Sequence, residues 1–188
     1  MYAKKSFLSI NYEKKGDGMK KSVILLSCFV VCFGALAAKK IPEKKMARVY
    51  VDVVGDLCHA GHIEFFKKAK AFGDYLIVGV LADEVVEEYK RTPVLTLEER
   101  VQAIKACKYV DEVIVAPPLR LTEKLVKEYK IDFVVHGDDF NKDLLEDQYG
   151  VALKLGIFRT VPYTKGISTS DIIERIVSRY EEGEFHKR

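Results

Sequence analysis

Short apolar runs alternate with amphipathic stretches along most of the chain. Val49–Val54 is rich in β-branched residues and predicts a strand. IEFFKKAKAF follows, apolar at helical spacing. The continuous run Leu76–Ala82 suits a strand covered on both faces of a parallel sheet. Glu84–Tyr89 predicts a short helix, with Asp83 as its cap. Thr96-Leu97-Glu98-Glu99 is a capping box that opens a helix carrying Val101, Ile104 and Ala106. Tyr109–Val115 predicts a third strand, broken by Ala116-Pro117-Pro118. Leu121–Tyr129 predicts a helix capped by Thr122, Ile131–His136 a fourth strand, and Leu144–Leu155 a helix ended by Gly156. Ile157–Val161 is the fifth strand, and Ser168, with Asp171 three residues on, caps the last helix. This alternation predicts an α/β fold, a five-stranded parallel sheet with helices on both faces.

The first residues break the pattern. Met19-Lys20-Lys21 precedes the apolar stretch Val23–Phe33, and Gly34-Ala35-Leu36-Ala37-Ala38 follows. That order fits a secretory signal. An uncleaved anchor, associating with a membrane through residues 19–38, and an extension upstream of the true start are the other readings. The expected organisation is a leader and linker over 1–45 and one globular domain over 46–188. The location of the protein stays open on these readings. The chain has 48% hydrophobic residues, enough for a core in one domain. Its 31 basic and 28 acidic residues form no basic stripe, so no nucleic-acid partner is expected. Four cysteines, two of them in the leader, make no disulfide framework.

The candidate chemistry begins at the turn after the first strand. Val54-Gly55-Asp56 leads to His59-Ala60-Gly61-His62, which puts two imidazoles in the first turn of a helix. Free N–H groups and the helix dipole attract anions there, and Gly61 leaves room at the backbone. The run Gly166-Ile167-Ser168-Thr169 is a second helix start with hydroxyls and free amides, also suited to phosphate. If the fold brings the two starts together, they share one nucleotide. Lys90 and Arg91 lie on a loop stiffened by Pro93 and could close over a triphosphate, and Arg100 could reach one with its fork of donors. Asp138 and Asp139, at the end of the fourth strand, could bind a cation or simply form a turn. Cys58, His59 and His62 lack the further ligands a zinc site needs, so no protein metal site is expected.

The elements HAGH, LEER, YVDEV, HGDD and TKGISTSD, in this order, resemble those of the CTP-dependent cytidylyltransferases, over about Arg48 to Tyr180. The phosphoethanolamine and phosphocholine enzymes are the most similar in flavour. The resemblance implies a Rossmann-like nucleotidyltransferase fold and transfer of CMP from CTP, with Mg²⁺, to a phosphomonoester. His59, His62, Lys90 and Arg100 would be catalytic. Val54, Gly55, Gly61, Gly166, Ile167, Ser168 and Thr169 would bind the nucleotide, and Asp138 and Asp139 the acceptor. Tyr109–Val113 would form a homodimer interface. Departures are Tyr163, where many members carry arginine, Lys165 for an acidic residue, and Gly55 for an aromatic one. With no tryptophan and with Pro-Pro-Leu after Ala116, a choline cage looks incomplete. Phosphoethanolamine is therefore the favoured acceptor. Phosphocholine, 2-aminoethylphosphonate, glycerol 3-phosphate and a non-catalytic nucleotide-binding role are the alternatives.

Overall fold

The computed structural model describes residues 45–139 and 142–186. The expected leader falls outside them except for Lys45. Five strands form one sheet: β1 (Arg48–Val53), β2 (Tyr75–Val80), β3 (Glu112–Val115), β4 (Phe133–Gly137) and β5 (Phe158–Val161). All pairings are parallel and the order is β3-β2-β1-β4-β5. The order reverses beside β1, and in such sheets the carboxyl ends of the strands at that switch form a binding crevice.

The helices are α1 (Ala60–Lys70), α2 (Asp83–Glu87), α3 (Leu97–Lys105), α4 (Glu123–Glu128), α5 (Lys142–Lys154) and α6 (Thr169–Glu181). A short 3-10 turn, Glu184–His186, follows α6. The period of β1 divides the core. Val49 and Val51 pack with Phe66 and Ala69 of α1 and Val101 and Ile104 of α3. Tyr50 packs with Leu125 and Val126 of α4 and Tyr149 and Ala152 of α5. Each fully buried Val, Leu, Ile or Phe among these contributes about 1.5–3 kcal/mol.

The caps follow the sequence signals. Thr96 and Glu99 form a capping box on α3, Ser168 and Asp171 form another on α6, and Thr122 accepts the Leu125 N–H at 3.2 Å. After α5, Gly156 adopts a φ of +68° and the Ile157 N–H reaches back to the Ala152 carbonyl at 3.0 Å.

Two expectations are corrected. Strand β3 begins at Glu112, not Tyr109, because the Asp111 carboxylate takes the Leu76 N–H at 2.6 Å in place of a backbone carbonyl. Asp83 does not cap α2. It is the first residue of that helix, and its carboxylate receives the Leu97 N–H at 3.3 Å and the Arg100 guanidinium. Among the described residues no helix is long and apolar enough to cross a membrane.

Candidate active site

A cleft of about 720 Å³ opens at the carboxyl ends of the strands. Val54, Gly55, Asp56, His59, Gly61, His62, Lys90, Arg91, Ile167, Ser168 and Thr169 all line it.

His59 is the N-cap of α1. Its backbone is extended (φ −129°, ψ 177°) and its Nδ1 accepts the Gly61 N–H at 3.1 Å. His62 Nδ1 accepts the His59 N–H at 3.3 Å. The rings lie 4.0 Å apart, centroid to centroid. With both Nδ1 atoms accepting, each neutral ring carries its proton on Nε2. Helix capping and presentation of two donors are thus one arrangement. Burial, then the charge of His59, pushes the pKa of His62 down to about 4, although Asp56 pulls the other way. Burial also lowers that of His59, against the pull of Asp171. Both rings are therefore neutral donors at pH 7.

The two helix starts meet. The Thr169 hydroxyl donates to the Asp56 carbonyl at 3.0 Å and lies 3.5 Å from His59 Nε2. Lys68 on α1 donates to the Pro162 carbonyl at 2.9 Å and to the Thr164 hydroxyl at 3.1 Å. A Cβ on Gly61 would stand 2.9 Å from the His59 ring and 3.3 Å from the Ile167 carbonyl. Glycine there makes room for protein atoms that complete the site. Gly55 has a φ of +73°, and Ile104 Cδ1 would lie 2.5 Å from an added Cβ, so a larger residue here would be strained and Ile104 would have to shift.

Three expected residues lie off the cleft wall. Arg100 is 0% exposed. Its Nη1 donates to the Val54 carbonyl at 2.5 Å, and its Nη2 to the Leu81 carbonyl at 2.8 Å and to Asp83. The guanidinium joins the ends of β1 and β2 rather than reaching the cleft. Asp138 accepts the Tyr163 N–H at 2.8 Å and braces the segment after β5, while Asp139 lines the cleft. Gly166 forms the bend before α6 with a φ of +95°.

Sequence reasoning missed a second group on the wall, comprising Asp52, Tyr89, His136 and Tyr149. The Tyr149 hydroxyl donates to Asp52 Oδ1 at 2.6 Å. Burial raises the pKa of Asp52, while the Tyr149 hydrogen bond and the nearby His136 act to lower it. The Tyr149 ring packs between His136 at 5.5 Å and Phe158 at 5.3 Å. A signal was present, since a carboxylate inside the run VYVDVV sits at a half-buried strand position where charge is costly. Cys58 packs against the core, and burial, then Cys107, raises the pKa of its thiol.

The switch-point crevice, the two imidazole donors and the adjoining helix starts define an α/β protein whose cleft presents N–H donors of the kind that suit an anion. The cytidylyltransferase-like family model matches residues 55–175, and the chain belongs to that family. It is 40% identical over 141 residues to the ethanolamine-phosphate cytidylyltransferase of Dictyostelium discoideum, which covers 72% of this chain and 39% of that protein. It is 41% identical over 142 residues to the Arabidopsis thaliana protein of the same name, covering 72% of this chain and 33% of that one. To choline-phosphate cytidylyltransferase A of Homo sapiens it is 40% identical over 148 residues, covering 77% of this chain and 40% of the relative. The chain thus spans well under half the length of these relatives, and ethanolamine and choline proteins match it about equally. A solved structure, the lipopolysaccharide core biosynthesis protein from Thermoplasma volcanium GSS1, superposes with a TM-score of 0.53 at 31% identity. It covers 65% of this chain and 99% of that one.

Proposed function

We propose that the chain transfers CMP from CTP to the phosphate of a small amino alcohol, with phosphoethanolamine as the acceptor, giving CDP-ethanolamine for phospholipid synthesis. The observation that supports this most is a single cleft lined by two kinds of group. His59, His62 and Thr169 suit phosphate, and the Asp52–Tyr149 pair suits an ammonium.

In the reaction, an oxygen of the acceptor phosphate attacks the α-phosphorus of CTP. The bond from that phosphorus to the bridging oxygen breaks, and pyrophosphate leaves with the electron pair. The acceptor brings its own nucleophile, so positioning and charge stabilisation supply the catalysis. The Nε2–H groups of His59 and His62 donate to phosphoryl oxygens as charge builds, and Lys90 adds a cation. Mg²⁺, carried with CTP, would neutralise charge on the phosphates beside the donors of His59, His62 and Lys90. Magnesium held by phosphate oxygens and water needs few protein carboxylates. Among the described residues no group of three or more His, Cys, Asp or Glu is placed to hold a metal by itself.

The acceptor argument rests on Asp52. A primary ammonium donates directed hydrogen bonds to a carboxylate and a phenol oxygen, whereas a quaternary one needs aromatic faces around it. Leu119 lines the cleft beyond Pro117-Pro118, and an aliphatic side chain offers no such face. A homodimer through Tyr109–Val113 belongs to the same reading, and β3, which takes in Glu112 and Val113, is an edge strand.

The test is pyrophosphate release by the full chain with Mg²⁺ and CTP or ATP. The acceptors are phosphoethanolamine, phosphocholine, 2-aminoethylphosphonate and glycerol 3-phosphate. Release that requires CTP and is fastest with phosphoethanolamine is the expected result. Preference for another acceptor overturns the choice of substrate, and absence of release with any of them overturns the reaction.

A further inference from the structure

Asp56 makes more bonds than its turn requires. The residue is 3% exposed. Its carboxylate accepts the Val94 N–H at 3.1 Å, the Leu95 N–H at 3.0 Å and Arg91 Nη1–H at 3.1 Å. Its backbone carbonyl accepts the Thr169 hydroxyl at 3.0 Å. One residue after β1 therefore holds both the loop that carries Lys90 and the start of α6. Burial acts to raise the Asp56 pKa, but the Leu95 and Val94 N–H groups and Arg91 outweigh it, so the carboxylate stays charged.

Arg91 differs from its neighbour Lys90. Its side chain is 45% exposed and lines the cleft, yet Nη1 is fixed by Asp56 and by the Thr92 carbonyl at 3.1 Å. A guanidinium has five N–H donors, so this anchoring leaves several for a ligand. The Lys90 Nζ lies 5.5 Å from the centre of the Tyr89 ring. An ammonium on a flexible stem is a movable point charge, whereas a pinned guanidinium matches two phosphate oxygens at once without reorganising. Because Asp56 is almost wholly covered and Arg91 is not, an anion in the cleft meets the guanidinium first.

We propose that Arg91 binds the leaving pyrophosphate and that Asp56 is its positioning residue, fixing the guanidinium on the wall of the cleft that His62 and Lys90 also line. The proposal rests on the reading of the reaction as transfer from CTP. In that reaction pyrophosphate gains charge as its bond to the α-phosphorus breaks, and a cation already in place stabilises it.

The test combines kinetics with binding of magnesium pyrophosphate to the full chain by calorimetry. Arg91→Ala weakens pyrophosphate binding and raises the KM for CTP, each by about tenfold, the size of one charge-assisted hydrogen bond. Arg91→Lys recovers part of the loss, and neither variant changes the KM for the acceptor. Asp56→Asn weakens pyrophosphate binding alone but adds little in the Arg91→Ala background, because the two act as a unit. It also speeds hydrogen exchange at the Val94 and Leu95 amides. Pyrophosphate binding indifferent to Arg91, in folded protein, overturns the proposal whatever the acceptor is. Independent effects of the two substitutions overturn the positioning role of Asp56. Failure of turnover with every acceptor, while pyrophosphate binding still depends on Arg91, overturns the reading of the reaction and supports the anion site.

Discussion

His62 Nδ1 accepts the backbone N–H of His59 at 3.3 Å, while His59 Nδ1 accepts that of Gly61 at 3.1 Å. Each histidine therefore has a structural nitrogen and a chemical one, and the two can be separated by substitution. Asparagine is a strong N-cap and can replace the Nδ1 contact of His59, but it has no atom where Nε2 stands. His59→Asn is expected to keep the melting temperature within a few degrees and to lower kcat about 100-fold or more. His59→Ala is expected to lose the same activity and a further ~1 kcal/mol of stability. Urea unfolding beside pyrophosphate release checks both. Equal activity in His59→Asn and the unsubstituted chain would remove Nε2 from the reaction.

The burial of His62 ties stability to pH. Its pKa falls from 6.5 to about 4 in the folded chain. Between those values the unfolded chain holds a proton that the folded one does not. Stability from this group is thus complete above pH 6.5, declines as pH falls through that value, and levels off below about 4. The total loss is about 3 kcal/mol. Denaturant unfolding from pH 4 to 8 should show this slope, and His62→Gln should flatten it by that amount. A variant with an unchanged slope would refute the assignment.

Much of this was legible in the chain. The alternation of apolar runs and amphipathic stretches gives the parallel sheet, since a run such as Leu76–Ala82 tolerates no solvated face. The boxes at Thr96 and Ser168 were readable because capping depends on residues three apart. The meeting of His59 with Thr169 was readable as chemistry, two phosphate-suited helix starts, although the contact spans 110 residues. What escaped depends on side-chain direction across elements. Arg100 follows a glutamate pair on an amphipathic helix and reads as exposed, yet three acceptors at the ends of neighbouring segments draw it inside. Asp138 and Asp139 are adjacent in sequence, and only the fold shows that the first braces Tyr163 while the second lines the cleft. Asp52 was hidden in an apolar run, and its partner Tyr149 is 97 residues away.

Arg100 should behave as a structural clamp. Replacing it with methionine leaves the Val54 and Leu81 carbonyls and Asp83 without their donor. Asp83 is 35% exposed and stays solvated, but each covered carbonyl left without a donor costs about 1–3 kcal/mol. Arg100→Met is therefore expected to lower stability by that amount for each of the two carbonyls. The KM for CTP measured on the folded fraction should stay within a few-fold. Urea unfolding and initial rates at low temperature separate the two effects. A raised KM for CTP with unchanged stability would return Arg100 to the triphosphate.

Asp52 should set the acceptor. Asp52→Asn keeps an oxygen for the Tyr149 hydroxyl and removes only the charge, so the local packing survives. An ammonium loses its charged partner, at a cost of about 1.5–3 kcal/mol, or about 10–100-fold. The KM for phosphoethanolamine is expected to rise by that factor, while the KM for CTP stays unchanged. Asp138→Asn, on the far side of the Tyr163 contact, should leave both nearly as they were. Glycerol 3-phosphate carries no ammonium, so Asp52→Asn should not weaken it and is expected to narrow the gap between the two acceptors. Steady-state kinetics with both acceptors decides the matter. Equal losses for the charged and the neutral acceptor would assign Asp52 to the structure of the cleft and not to recognition.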